Sequence, residues 1–446
     1  MIRMVNSLSM KASRQNMDVN DERCGPVHIY YAGHNEDLGH SFSDEPLWDT
    51  NVDKDVVEQI LISLNDQPVW GLFDQRVCSF FKVFSRLLME RGRSYPDLVS
   101  CGYFIRNAHM HYLKEAYNDT HRCGRGVTFH ISPSNVPLTF AYNLYAALCS
   151  GNCCIIKIPS RRFRQVDLFM EILHDALKQC NDSALMQRFA SVRYARTVRE
   201  ITDLCSASCA VRVIWGGDKT IASVRKSPLM PRAFDMTFSN RFSIAVLDAK
   251  VIQNMTDIQL SRLSVLMYND TFLYDQNACS SPRLLYWIGN PAIQVQASDR
   301  FWDVFHRCVA QRYDLAPIIA IDKCVALCDY SIAHKALRAA PALDNLIYRV
   351  NVSKQELTPS LIGPEARGGF FYEYVAPDLS SLDRIISSAC QTITYVGDRD
   401  LIANYVKKSG CRGGDRIVPV GHATDFSFIW DGYDILLTLS REIVVQ

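Results

Sequence analysis

The sequence lacks a dominant charge: 48 Lys and Arg stand against 47 Asp and Glu in 446 residues, a formal net charge of +1. That balance leaves no broad field for holding nucleic acid or an anionic membrane, and no basic half is masked by an acidic one. It also lacks any run of 18 or more apolar residues, which excludes a membrane-spanning helix. The nearest candidate, PLTFAYNLYAALCSGNCCIIKIP, is broken by Asn143, Gly151, Asn152 and Lys157. The opening stretch MIRMVNSLSMKASRQNMDVNDERCG has no basic-then-apolar leader, so a cytoplasmic protein is expected. The 16 cysteines include no CxxC pair; Cys149/Cys153, Cys205/Cys209 and Cys324/Cys328 are four apart. Without paired short chelates no metal site is expected, and most thiols should be reduced and buried. GxGxxG is missing too, as are internal repeats and low-complexity tracts.

What is present is alternation. The length favours two domains, with a third possible. Residues 1 to about 26 read as a loosely ordered lead-in, followed by helices over Asp53–Asn65 and Ser79–Arg91. From Gly126 onward, apolar strands and amphipathic helices alternate. GVTFHISPS is a strand, PLTFAYNLYAALCSG a helix opened by Pro137, NCCIIKIPS a strand and RQVDLFMEILHDALKQC a helix. RFASVRYAR, CAVRVIWGGD and RFSIAVLDA complete five strands of a parallel sheet flanked by helices, an α/β architecture. A second α/β unit restarts after Asp248 with the helix DIQLSRLSVLMYND and the strand PRLLYWIGN. The expected division is 1–247 for the N-terminal and dinucleotide-binding domain and 248–399 for the catalytic domain. Residues 400–446 should form a segment docking back on the cofactor domain or on another subunit.

Three local patterns carry chemistry. IIKIPS ends a strand with Lys157, Ser160, Arg161 and Arg162, where α/β sheets bind ligands and a cation can meet a ribose phosphate; a solvated basic turn has the same composition. VIWGGDKT places Gly216 and Gly217 where backbone can approach a pyrophosphate, with Asp218 equally explained as a helix cap. SPSNVP sets Asn135 on a turn where its amide can donate to an oxyanion, although Ser134 or Asn135 can equally cap the following helix. DQNACSSP then surrounds Cys279 with polar and small residues, unlike the apolar setting of a structural thiol. His130 on VTFHI is expected in the core, and Asp431 and Asp434 in WDGYD in turn and cap roles.

HISPSNVP, GNCCIIKIPS, IWGGDKTI, PRAFDMTFSNRFS, YNDTFLYDQNACSSPR, QTITYVG and DRIVPVGHATDFSFIWDGYD together resemble the LuxC-type fatty acyl-CoA reductases of the aldehyde dehydrogenase superfamily. The resemblance runs from about residue 100 to the end. It implies an aldehyde dehydrogenase-like fold, a Rossmann-type cofactor domain plus a second α/β catalytic domain. It implies Cys279 as nucleophile, Asn135 as oxyanion donor, Lys157 and Ser160 at the adenosine ribose, and Gly216 and Gly217 at the pyrophosphate. Arg161 beside Ser160 agrees with the family's use of NADPH. Glu373 in FFYEY resembles the superfamily's late glutamate at the cofactor ribose. One departure stands out: FDMTFSNRFS holds no glutamate where hydrolytic members carry their general base. The resemblance therefore implies reduction of a fatty acyl thioester, from acyl-CoA or an acyl-protein, to the aldehyde through an acyl-cysteine. An acyl-protein synthetase is the implied partner and a homo-oligomer the implied assembly. The rival expectations are a non-acylating aldehyde dehydrogenase and a non-catalytic partner of the synthetase.

Overall fold

The computed structural model describes residues 28–31, 54–117, 121–133, 136–334, 339–341, 344–363 and 367–446. The strands of the first unit are β1 (His28–Tyr31), β2 (Arg122–Gly124), β3 (Val127–Ile131), β4 (Cys153–Lys157), β5 (Phe189–Arg193), β6 (Val211–Trp215) and β7 (Phe234–Phe238). Six of them form one sheet in the order β1-β5-β4-β3-β6-β7. Only β1 runs antiparallel, along the outer edge of β5. The sequence of β3 to β6 is close to continuously apolar because helices cover both faces of this sheet. The order reverses at β3, whose neighbours β4 and β6 are reached by crossovers on opposite sides. Such a reversal opens a crevice at the carboxyl ends of the strands.

Helix Thr139–Cys149 is buried almost all round because it is wedged between the sheet and helix Gln75–Arg91. It starts two residues after Pro137, which occupies the lead-in turn instead of the first helical position. Gly151 ends the segment at φ +78°, where a Cβ would sit 2.0 Å from the Trp70 carbonyl oxygen; no other residue fits that approach.

The second sheet comprises β8 (Phe242–Asp248), β9 (Pro282–Ile288), β10 (Ala339–Pro341), β11 (Tyr348–Asn351), β12 (Phe370–Ala376), β13 (Cys390–Val396) and β14 (Arg416–Pro419). Its order is β10-β11-β12-β9-β8-β13-β14, parallel except at β10. Here the structure differs from the expectation that RFSIAVLDA is the fifth strand of the first unit. That strand, β8, lies inside the second sheet, and β7 takes the fifth parallel place. The change of sheet falls at residues 239–241, ahead of the 247/248 division. Hydrophobic periodicity identifies a buried strand but not the sheet that receives it.

Arg241 marks this crossing. Its guanidinium is buried against Asp415 at 2.6 Å and Asp431 at 3.1 Å, and it donates to the Ser388 and Cys390 carbonyls. Burial raises the Asp431 carboxyl while Arg241 pulls it back down. Removing one partner from such a pair costs about 3–5 kcal/mol, because the other charge stays buried. The C-terminal residues divide between the units. Helix Arg399–Ser409 and β14 belong to the second, whereas helix Ile435–Leu439 packs on Thr139–Cys149 and strand Ser440–Glu442 pairs with β2. Asp434 caps the Ile435 helix through the Leu437 N–H at 3.0 Å.

Candidate active site

Cys279 lies in the turn between helix Asp257–Thr271 and β9, and it is half-buried. Most of the described thiols on helices and strands of the cores are different. Burial pushes Cys153 up to about 11 and Cys209 and Cys390 up to about 12, which keeps them protonated and inert. The Cys279 turn is held by its neighbours. Asp275 and Gln276 both adopt left-handed backbone, φ +51° and +57°, a conformation that side-chain-bearing residues occupy only when held there. Gln276 is fully buried and uses all of its amide. Nε2 donates to the carbonyls of Pro282 (2.9 Å) and Phe370 (3.1 Å), while Oε1 accepts from the N–H groups of Gly369 (2.9 Å) and Phe370 (3.2 Å). The Gln276 N–H closes back onto the Thr271 carbonyl at 2.7 Å, and Tyr313 donates to Asp275 at 2.6 Å. Ser243, at the start of β8, completes the frame. Its hydroxyl donates to the Cys279 carbonyl at 2.7 Å and accepts from the Thr392 N–H at 3.1 Å. Neither Gln276 nor Ser243 stood out in the sequence. A glutamine beside a cysteine becomes informative only once its partners on β9 and β12 are known.

The crevice at the first sheet gathers several expected residues. Lys157 ends β4 with its ammonium 4.7 Å from the centre of the Tyr194 ring, and burial pulls it down to about 8. Ser160, Arg161 and Arg162 follow on an exposed turn, Arg161 lying over Phe163. Gly216 and Gly217 form the turn after β6. A Cβ at Gly217 would press on the Asn240 side chain, with Oδ1 at 3.0 Å, so any other residue there would have to displace that amide. Asn143, missed by the sequence analysis, joins the two strands at the reversal point. Its amide donates to Ser132 Oγ at 3.1 Å and accepts from Trp215 Nε1 at 2.8 Å. Trp215 stacks on Phe238 with ring centres 3.7 Å apart, giving the crevice a rigid aromatic side. These residues fit a dinucleotide: a desolvated cation without a carboxylate partner among the described residues, exposed arginines, and backbone free of side chains.

Two expected residues stand apart. Asn135 lies outside the described residues. Glu373 is 2% exposed within the second unit, where it accepts from Trp287 Nε1 (3.1 Å), Trp302 Nε1 (2.6 Å) and Arg349 Nε (2.8 Å). With both oxygens engaged by core donors, Glu373 is not presented to a ribose; the role carried over by resemblance is replaced by a packing role. His130 is buried against Thr128 Oγ1 at 2.9 Å and burial pulls it down to about 3, so it is a neutral core residue. In FDMTFSNRFS the sole carboxylate, Asp235, is taken by Arg212 at 2.7 Å and Arg225 at 3.2 Å.

An open groove with a volume of about 550 Å³ runs between helix Asn107–Ala116 and the segment Phe426–Ile429. Phe104, Tyr112, Leu113, Phe426, Phe428 and Leu437 supply its apolar walls. The wall continues inward: Phe426 sits 4.3 Å from Tyr142 between ring centres.

Gln276→Ala would remove four buried hydrogen bonds to the main chain of Pro282, Gly369 and Phe370. It is expected to cost about 2–5 kcal/mol in urea unfolding, and to change the rate at which a small alkylating agent modifies Cys279. Unchanged stability and unchanged alkylation would show that the turn holds itself.

The sequence profile described as acyl-CoA reductase (LuxC) matches residues 106–442. Long-chain acyl-protein thioester reductase 2 of Photobacterium leiognathi is 27% identical over 199 residues, 43% of this chain and 37% of that one. The long-chain acyl-protein thioester reductase of Photobacterium phosphoreum is 30% identical over 170 residues, 37% of this chain and 32% of that one. The chain thus aligns with about a third of each relative's length. Among solved structures, the NADP-dependent glyceraldehyde-3-phosphate dehydrogenase of Bacillus halodurans, complexed with NADP, superposes with a TM-score of 0.61 at 13% identity. The match covers 94% of this chain and 98% of that one. GapN of Methanocaldococcus jannaschii, also complexed with NADP, gives 0.61 at 12% identity over the same shares. The fold is that of the aldehyde dehydrogenases, and the family match extends over most of the chain: it belongs to the acyl-CoA reductase (LuxC) family.

Proposed function

We propose that the protein reduces a long-chain fatty acyl thioester to the aldehyde through an acyl-Cys279 intermediate, with NADPH as reductant. The observation that carries this reading is a half-exposed cysteine on a turn locked by Gln276 and Ser243, with no free carboxylate in the segment where a hydrolytic base would stand. The Cys279 thiolate attacks the thioester carbonyl and forms a new C–S bond. The Asn135 amide and the Cys279 N–H, which has no partner among the described residues, take the oxyanion. The leaving thiol departs with a proton, and the acyl group remains on Cys279.

Lys157, Ser160, Arg161 and the Gly216–Gly217 turn hold the cofactor at the carboxyl edge of the first sheet. NADPH bound there supplies the hydride that turns the enzyme thioester into a thiohemiacetal. Collapse of that adduct releases aldehyde and restores Cys279. Asp235, paired with two arginines, is unavailable to activate water, so the acyl-cysteine survives to be reduced. That pairing disfavours a non-acylating, oxidative aldehyde dehydrogenase. The framed cysteine and the desolvated Lys157 disfavour a non-catalytic scaffold.

The acyl chain runs from Cys279 past Tyr274 and Tyr142 into the groove walled by Phe104, Phe426 and Phe428. The donor is acyl-CoA, in keeping with the family's description, or an acyl-protein, as the names of the relatives indicate for those proteins. An acyl-protein synthetase is the proposed supplier, and a homo-oligomer the proposed assembly.

Incubation with tetradecanoyl-CoA in the absence of NADPH is expected to add one acyl group at Cys279, mapped by peptide mass spectrometry. Cys279→Ala is expected to lose both adduct and reductase activity. An adduct on another cysteine, or activity surviving in Cys279→Ala, contradicts the mechanism. Lys157 supplies a pH test. Its ammonium is charged below about 8 and neutral above, so NADPH affinity should be highest below that pH and fall as pH rises through it, until the value of the bound complex is passed. Lys157→Met should weaken binding about 10-fold at neutral pH and flatten the profile, read by fluorescence titration. A wild-type profile flat from pH 6 to 10 would remove Lys157 from the cofactor site.

A further inference from the structure

The segment that forms one groove wall is fastened to the helix that carries the cysteine turn. Asp270 is the penultimate residue of helix Asp257–Thr271 and is completely buried. Its two carboxylate oxygens accept separate main-chain donors, the Gly421 N–H at 2.6 Å and the Ala423 N–H at 2.9 Å. Gly421 lies directly on the helix at φ +98°, where a Cβ would fall 2.5 Å from Leu266 Cδ2, so the contact admits no side chain. Arg416 grips the same loop by its carbonyls. It donates to Ala423 and Asp425 at 2.9 Å each, and its guanidinium lies 4.3 Å from the ring centre of Trp430, just beyond the wall segment. Phe426 and Phe428 follow at once and enter the groove, 5.4 and 5.2 Å from Phe104 between ring centres.

One residue further along the helix, the Thr271 carbonyl accepts the Gln276 N–H that starts the cysteine turn. Consecutive residues therefore hold the groove wall and the nucleophile turn. A carboxylate inside the protein is costly, and burial pushes Asp270 up to about 6 against the pull of Gly421 and Ala423; Asp425 adds to the rise and His422 opposes it. An apolar residue would fill this space without that cost but could not fasten the loop.

We propose that Asp270 is a positioning residue that registers the Phe426–Phe428 wall against the Cys279 turn, and so sets how well a long acyl chain is held when its thioester reaches the thiolate. The inference rests on the proposed acyl-Cys279 chemistry. Asp270 touches neither substrate nor cofactor; it acts through the loop. Its effect should grow with chain length, because a short acyl group reaches Cys279 without using the groove.

The test compares tetradecanoyl-CoA with butanoyl-CoA in the full-length protein and in Asp270→Asn, whose amide can accept one of the two N–H groups but opposes the other. The expected result is a KM for tetradecanoyl-CoA raised on the order of 10-fold, with the butanoyl-CoA KM and Cys279 alkylation moving less than about twofold. Equal changes for both chain lengths, or none, overturn the proposal. Where Asp270→Asn does not fold, hydrogen exchange in the wild type decides. Tetradecanoylation of Cys279 should slow exchange across residues 421–428 more than butanoylation does, and equal protection overturns the proposal. A wild type that forms no acyl-Cys279 adduct would instead refute the underlying chemistry, so the two failures are distinct.

Discussion

The buried amide of Gln276 is the constraint from which the site is built. It donates to the carbonyls of Pro282 and Phe370 and accepts from the N–H groups of Gly369 and Phe370, and in doing so holds two consecutive residues in left-handed backbone just before Cys279. Left-handed backbone without glycine costs energy, and four hydrogen bonds in a dry setting are what sustain it. The consequence is directional. The chain leaves helix Asp257–Thr271, turns sharply and enters β9, with the thiol left on the connecting turn instead of in the core beneath. Ser243 then fixes the Cys279 carbonyl from β8. Two adjacent strands of the second sheet thereby dictate the orientation of one residue.

The surrounding chemistry is shaped as much by what is occupied as by what is free. Glu373, which the resemblance placed at the cofactor ribose, and Asp235, the one carboxylate of FDMTFSNRFS, are both tied to arginines, Glu373 to two indoles as well. Neither of these two carboxylates is free to activate water, which supports the proposed survival of an acyl group on Cys279. Lys157 is the opposite case: its charge is desolvated and unpaired by any described carboxylate, so an anionic ligand at that edge restores what burial removes. Two engaged carboxylates and one unpaired cation together support the proposed reduction of a thioester over its hydrolysis.

Much of this was legible in the sequence where the information is contiguous. The α/β alternation, the strands ending at Lys157 and Trp215, and the polar setting of Cys279 all lie within short windows. What escaped depends on pairs far apart in the chain. Asn143 meets Trp215 across 72 residues, Asp270 meets Gly421 across 151, and the two indoles that claim Glu373 lie 86 and 71 residues from it. FFYEY shows a charged residue between aromatics, which fits a ligand site and a satisfied core equally well; only the partners decide. The fifth strand went to the wrong sheet for a related reason. β7 is a short strand, FDMTF, in which Asp235 and Thr237 break the apolar pattern, and only three residues separate it from β8, so nothing local marks where one sheet ends. The helix end at Asp270–Thr271 shows the same limit, since nothing local to it announces that one residue holds the groove wall and the next the Cys279 turn.

The central claim is that the acyl group reduced is the one carried by Cys279. A single-turnover chase addresses it directly: protein acylated with tetradecanoyl-CoA, freed of unbound thioester, is mixed with NADPH deuterated at the transferring position of the nicotinamide. The account predicts tetradecanal carrying one deuterium, in an amount equal to the adduct lost from Cys279. An adduct that persists under NADPH, or that leaves as tetradecanoic acid without deuterium, would contradict it.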